Sequence, residues 1–198
     1  MCATQLDEPT PMSTVEYLAF ADEQELKYEF RGGHIYAMTG GSVRHGVITA
    51  NISTHLNIQL RESDCTVTSP DVRIQIASKQ AYRYPDVTVF CGDAVYAEDR
   101  SDTITNPTLL VEVLSPSSVL RDSNEKLEEY ITIASLSAYL LIAQDKPKVE
   151  LYHRHDEDKW LYQIATGFDA TVTVPVADTT ITITLAALYR RVDFDAPE

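Results

Sequence analysis

The spacing of hydrophobic positions changes period several times along this chain, and each change marks an element. Val15, Leu18 and Ala19 start a helical stripe that ends near Gln24, and Ser13 with Glu16 three residues on has the form of a capping box. Tyr28 to Met38 reads as a hairpin turning at Gly32-Gly33, because paired glycines accept the positive φ of such turns. Gly40-Gly41-Ser42 is a loop, and Ile48, Ile52, Leu56 and Leu60 then recur every four residues, which predicts an amphipathic helix over about 44–62. The middle of the chain is strand-rich: Cys65 to Ser69, Val72 to Ala77 and Tyr84 to Cys91 carry β-branched and aromatic residues between polar breaks. Residues 92–107 are polar and end in Asn106-Pro107, a loop signal.

Leu109 to Leu114 is apolar on both faces except at Glu112, the mark of a central strand covered on both sides. A helix is predicted from Asp122 to about Ile133, with Leu127, Tyr130, Ile131 and Ala134 on one face, and Ala138 to Ala143 is a further apolar strand. Lys148–His153 and Trp160–Thr166 flank a charged turn, Thr171–Val174 and Thr180–Thr184 alternate, and Ala186 to Arg190 reads as a short terminal helix. The succession is that of an α/β or α+β chain with one mixed sheet and helices packed on it. Residues 1–12 read as a loose tail and 13–198 as a single domain.

Composition narrows the picture. The chain has 198 residues, 44% hydrophobic and 23% charged, as in an ordinary globule. No apolar stretch approaches the ~18 residues of a membrane span. Met1 to Thr14 lacks the basic and apolar regions of a secretory signal. Cys2, Cys65 and Cys91 form no CxxC and no zinc spacing, so reduced thiols in a cytoplasmic protein are expected. With 16 basic and 30 acidic residues the formal charge is −14, which disfavours tight, non-specific duplex binding by the lone chain. A metal site suits such acidity better, since it needs carboxylates.

The candidate chemistry gathers between Tyr84 and Tyr130. An ionised carboxylate such as Glu112 inside an apolar strand is costly unless a cation compensates it. Asp86 opens the preceding strand, and if the two strands are neighbours their carboxylates can converge on a hard cation such as Mg²⁺. The plainer alternative pairs Glu112 with a buried arginine and leaves Asp86 to cap a turn. Asp122 and Lys126 are four residues apart on one helical face, which suits a surface salt bridge or a lysine reaching toward a scissile phosphate. His45 opens the long helix and Glu29 precedes the hairpin turn, and both could support the site. His153, His155, Asp156, Glu157 and Asp158 fall between two strand-like runs and read as a solvated hairpin loop. GxSxG, P-loop and HExxH signatures are absent.

At these residues the chain resembles the Uma2 family of restriction-endonuclease-like proteins. The matching pieces are Tyr28-Glu29-Phe30, His45, Tyr84-Pro85-Asp86-Val87, Leu110-Val111-Glu112-Val113-Leu114-Ser115-Pro116-Ser117 and Asp122-x3-Lys126-x3-Tyr130. They run from Ser13 to Ala143, and more loosely to Arg190. The resemblance implies a branch of the PD-(D/E)xK nuclease superfamily: a mixed central β-sheet flanked by helices, with a β-rich C-terminal part. Asp86 then takes the place of the first acid and Glu112 of the second. The lysine expected two residues after Glu112 is absent, since Leu114 stands there, and the resemblance assigns its role to Lys126 on the next helix. A second departure is Gly32, where family members often carry an Asp.

What the resemblance implies is a Mg²⁺- or Mn²⁺-dependent endonuclease with DNA as substrate, working as a homodimer. Asp86 and Glu112 would hold the metal, Lys126 would act on the reacting phosphate, and His45, Glu29 and Asp122 would support them. Two rivals stand beside it: a non-catalytic binding or assembly module on the same fold, and a metal-dependent hydrolase of a smaller phosphodiester.

Overall fold

In the computed structural model, which describes residues 3–5, 11–38, 40–114, 125–157 and 159–195, three sheets and four helices follow one another. The strands are β1 (Ala3–Gln5), β2 (Tyr28–Arg31), β3 (His34–Met38), β4 (Cys65–Thr68), β5 (Arg73–Ile76), β6 (Ala81–Arg83), β7 (Val87–Cys91) and β8 (Thr103–Ile104). They continue with β9 (Leu109–Leu114), β10 (Ala138–Ala143), β11 (Lys148–Arg154), β12 (Trp160–Thr166), β13 (Thr171–Val176) and β14 (Thr179–Thr184). The helices are α1 (Thr14–Asp22), α2 (Val43–Leu60), α3 (Leu127–Tyr130) and α4 (Leu185–Leu188). One six-stranded sheet has the order β1-β3-β2-β6-β5-β8, a second the order β12-β11-β10-β9-β7-β4, and β13 and β14 form a separate pair. The mixed α+β architecture is the one expected, but the strands divide among three sheets where a single mixed sheet was anticipated. Local alternation reveals strands without revealing which sheet they join.

The reason for the arrangement lies in β9. Every residue of this strand is buried. Leu109, Val111 and Val113 pack with Ile48, Ile52, Leu56 and Leu60 of α2. Leu110 and Leu114 pack on the other face with Ile74 and Ile76 of the first sheet, Tyr130 and Leu141. The second sheet is thus a middle layer between α2 on one side and the first sheet on the other. Because side chains alternate along a strand, Glu112 belongs to the face that looks toward the first sheet.

Local signals were followed closely elsewhere. The Ser13–Glu16 capping box is present at α1, and the hairpin turns at Gly32 (φ +55°) and Gly33 (φ +85°). Several expectations need correction. Ala3–Gln5, inside the expected tail, pairs antiparallel with β3. The helix anticipated over 122–133 is described only as a π-type turn at Glu125–Lys126 and the single turn of α3. Asp122 and the connection before it lie outside the described residues. Residues 92–107, read as loop, contribute the short strand β8. Cys65 and Cys91, expected as reduced thiols, are directly opposed in the β4–β7 ladder and joined by a disulfide. Ladder register brought them together, and a separation of 26 residues carries no local sign of it. No helix among the described residues is long and apolar enough to cross a membrane.

Candidate active site

Glu112 is buried between the two large sheets, and the cation that compensates it is Lys126 rather than an arginine. Lys126 Nζ donates to Glu112 Oε1 at 2.7 Å, and the Tyr130 hydroxyl donates to the same oxygen at 3.0 Å. Lys126 and Tyr130 are four residues apart on one turn, so both reach β9 from the same side. Lys126 is only 3% exposed, which excludes the surface ion pair considered for it. Its Nζ also lies 3.3 Å from Glu29 Oε1, supplied by β2 of the other sheet.

The network continues through residues given no role in the sequence reading. Arg83 of β6 donates from one guanidinium nitrogen to Glu29 Oε2 at 2.9 Å and forks with its other two onto Glu129, at 2.8 and 3.0 Å. Arg31 Nε meets Glu129 Oε1 at 2.9 Å and its outer nitrogen pairs with Glu125. Glu29, Arg83, Glu112, Lys126 and Glu129 are all buried. A buried ion costs several kcal/mol unless paired and hydrogen-bonded, and here each has a partner of opposite charge. Burial alone pushes the Glu29 carboxyl up, but the charges of Lys126 and Arg83 outweigh it and hold the group at about 2. Burial and the neighbouring Glu112 carboxylate push the Tyr130 hydroxyl well above the usual tyrosine range, so it stays a donor.

Asp86 stands where the chain crosses from the first sheet to the second. In the β7–β9 ladder Val87 faces Val111 and Thr88 faces Leu110, and Asp86 immediately precedes this ladder. Its Oδ2 accepts the Val113 N–H at 2.7 Å and lies 3.2 Å from His45 Nε2. Burial raises the Asp86 carboxyl, while the bonds from His45 and the Val113 amide lower it, and the net direction is down. His45 is delivered by the first turn of α2, whose cap, Ser42, accepts the His45 N–H at 3.2 Å. Gly41 is required beside it, because a Cβ there would stand 2.9 Å from His45 Nδ1. Asp86 and His45 line a cavity of about 360 Å³ with Gly41, Ser42, Thr49 and Pro70 among its other walls.

The structure therefore gathers Glu112, Lys126 and Glu29 in one cluster. It holds Asp86 with His45 in a second, joined to β9 through the Val113 amide. Around the two clusters the donor chemistry is that of two carboxylates, with Lys126 and Tyr130 on Glu112 Oε1 and the Val113 amide and His45 on Asp86 Oδ2. Hard oxygen donors of this kind fit Mg²⁺ or Mn²⁺, which is commonly held by one or two carboxylates and completed by water and substrate phosphates. Among the described residues the one set of three His, Cys, Asp or Glu groups close enough to share an ion is Asp64, Cys65 and Cys91. Its two sulfurs are in the disulfide, so it lacks thiolate ligands. The charged hairpin after β11 makes a Lys159–Asp156 ion pair at 3.0 Å on the surface, as anticipated for a solvated loop.

Comparison with known proteins follows the same lines. The model of a family described as "Uma2: Putative restriction endonuclease" matches residues 14–186. The Synechocystis sp. protein slr1290 is 40% identical over 164 residues, spanning 81% of this chain and 84% of the relative. A second Synechocystis sp. protein, sll1609, is 33% identical over 161 residues, spanning 81% of this chain and 91% of its own length. A crystal structure described as "a putative nuclease belonging to DUF820" from Anabaena variabilis superposes with a TM-score of 0.73 at 18% identity, covering 90% of this chain and 98% of that one. At that identity the likeness establishes the fold.

Proposed function

The chain belongs to the Uma2 family, and from that premise we propose that it is a Mg²⁺- or Mn²⁺-dependent endonuclease that hydrolyses DNA phosphodiester bonds. The observation that carries this reading is the buried Lys126–Glu112 pair at 2.7 Å, with the Asp86 carboxylate bonded to the amide of the next residue, Val113, at 2.7 Å. Asp86 and Glu112 would hold the cation. When bound, it supplies a Lewis acid that offsets phosphate charge and lowers the pKa of water. Lys126 keeps a positive charge beside the carboxylates, where it would stabilise the charge that builds on the phosphorus oxygens. Tyr130 and Glu29 fix the positions of Glu112 and Lys126. His45 and the Val113 amide fix Asp86, leaving little orientation to be acquired during reaction.

The test is cleavage of single-stranded, duplex and branched DNA with Mg²⁺ or Mn²⁺, beside Glu112→Gln and Asp86→Asn. Metal-dependent cleavage by the wild type, lost in both variants, is the expected result. Equal turnover in all three would refute the assignment. A second reading, hydrolysis of a smaller phosphodiester, is favoured by the −14 charge and the modest volume of the cavity beside Asp86. A small aryl phosphodiester turned over while every DNA is left intact would select it.

A further inference from the structure

We propose that β12 is a self-association edge: two copies of this chain pair their β12 strands antiparallel about a two-fold axis at Gln163 and join their second sheets into one continuous sheet. The proposal does not depend on the catalytic reading. It starts from the position of β12 at the end of the second sheet, with β11 on one side and no described strand on the other.

The backbone says which groups face outward. Lys159 O accepts the His155 N–H and the Gly167 N–H reaches Pro147 O, so these odd-numbered positions bond toward the β11 side. Lys148, opposite Thr166, has both its N–H and its C=O bonded to the Tyr189 hydroxyl. Ladder bonds alternate along an antiparallel strand, so Trp160, Tyr162, Ile164 and Thr166 direct their N–H and C=O groups away from β11. An open row of this kind is a template for another strand, and proteins usually blunt it. Here the other edges are blunted. β1, β4 and β8 have two to four residues, β13 carries Pro175, and β14 is mostly threonine. β12 runs for 7 residues, Trp-Leu-Tyr-Gln-Ile-Ala-Thr, with no charge, no proline and no glycine.

Its side chains are those of a contact surface. Leu161 (43% exposed), Tyr162 (48%), Ile164 (53%) and, just past the strand, Phe168 (50%) crowd into one stretch. The occupant follows from charge and from self-complementarity. Two chains each carrying −14 repel, so a contact between copies needs a surface free of charge, and this strand supplies one along its length. Antiparallel pairing about Gln163 uses all 7 residues. It sets Tyr162 against Ile164, Leu161 against Ala165 and Trp160 against Thr166, apolar or uncharged at every step. The same register opposes the outward-facing residues to one another, as a hydrogen-bonded ladder requires, and a two-fold contact of identical patches closes at two copies.

Two measurements test this. Light scattering of the wild-type chain should give twice 22.1 kDa, and Ile164→Pro, which removes an outward donor while leaving the bonds to β11, should give 22.1 kDa. Amide hydrogen exchange on the wild type provides a readout that needs no variant. The amides of Tyr162, Ile164 and Thr166 should become protected as concentration rises, while those of Leu161, Gln163 and Ala165 are protected throughout. A wild type that stays at 22.1 kDa over a wide concentration range overturns the proposal. So does a dimer whose Tyr162 and Ile164 amides exchange freely, or dimerisation undiminished in a folded Ile164→Pro chain. Protection of those amides only when an unrelated extended peptide is added would assign the edge to a different partner.

Discussion

Among the described residues two arginines are almost completely buried, and they are kept there by different means. Arg83 lies between the large sheets and is neutralised by two buried carboxylates, Glu29 and Glu129, which are tied in turn to Lys126 and Arg31. Arg73, on the same sheet, is enclosed by the rings of Tyr17, Tyr82 and Tyr84 at 5.7, 5.7 and 5.9 Å. Its one carboxylate, Asp102, is nearly half exposed. Its polar contacts are also served by others: Tyr17 donates to Tyr28 O, Thr103 donates to Asp102, and Arg100 holds Asp102 as well. Aromatic faces and a solvated acid make the Arg73 site self-sufficient. The Arg83 site is a chain of mutually dependent charges that ends at Glu112. Burial of a charge is thus common to both places; the difference is that at Arg83 the compensation is shared, through Glu29 and Lys126, with Glu112 inside the central strand.

The largest effect should come from breaking the shared chain. Arg83→Met leaves Glu29 and Glu129 with too little positive charge, and urea denaturation should show a loss of about 3–5 kcal/mol. Acid should attack the same chain next. The Glu29 carboxyl is held at about 2 against an ordinary value of 4.5, so its contribution is complete above 4.5 and is lost as pH falls through 2. Stability measured across that window should decline by an amount on the order of 3 kcal/mol, and Glu29→Gln should flatten the decline. Lys126→Met should lower metal-dependent cleavage by about 100-fold or more per folded molecule, roughly 2.7 kcal/mol in the barrier. Circular dichroism should confirm that the variant folds. Unchanged turnover would reduce Lys126 to a structural cation. The smallest effect belongs to the tyrosine cage: Arg73→Met should cost about 1–2 kcal/mol and leave turnover unaltered, because each partner keeps another bond. A cost equal to that of Arg83→Met would erase the distinction between the two sites.

Some of this was legible in the residues. Glu112 announced itself as the single acid in Leu109–Leu114, and the four-residue recurrence of Ile48, Ile52, Leu56 and Leu60 located α2 with His45 at its start. The lysine was legible only through a family resemblance, since the four-residue spacing of Asp122 and Lys126 fits a surface pair equally well. Arg83 was missed because β6 has three residues, too few to display an alternation. Glu129 was missed because an acid beside another acid in a predicted helix reads as solvated, whereas Arg83 and Arg31 draw it inward. The Cys65–Cys91 bond and the division into two large sheets depend on which strands meet, and period-two patterning is silent on partners.

The disulfide has a topological consequence. Between Cys65 and Cys91 the chain leaves the second sheet, builds β5 and β6 in the first, and returns through Asp86 to β7. The covalent ring therefore threads both layers, and the crossing segment that carries Arg83 and Asp86 is part of it. When the layers separate on unfolding, this ring cannot open fully, and the restricted chain forfeits entropy equivalent to roughly 3–4 kcal/mol. Reduction should thus lengthen the reach of the unfolded chain more than it alters the folded one. β4 and β7 would then have to find each other across a free rather than a tethered segment, and refolding, more than the finished architecture, would register the loss.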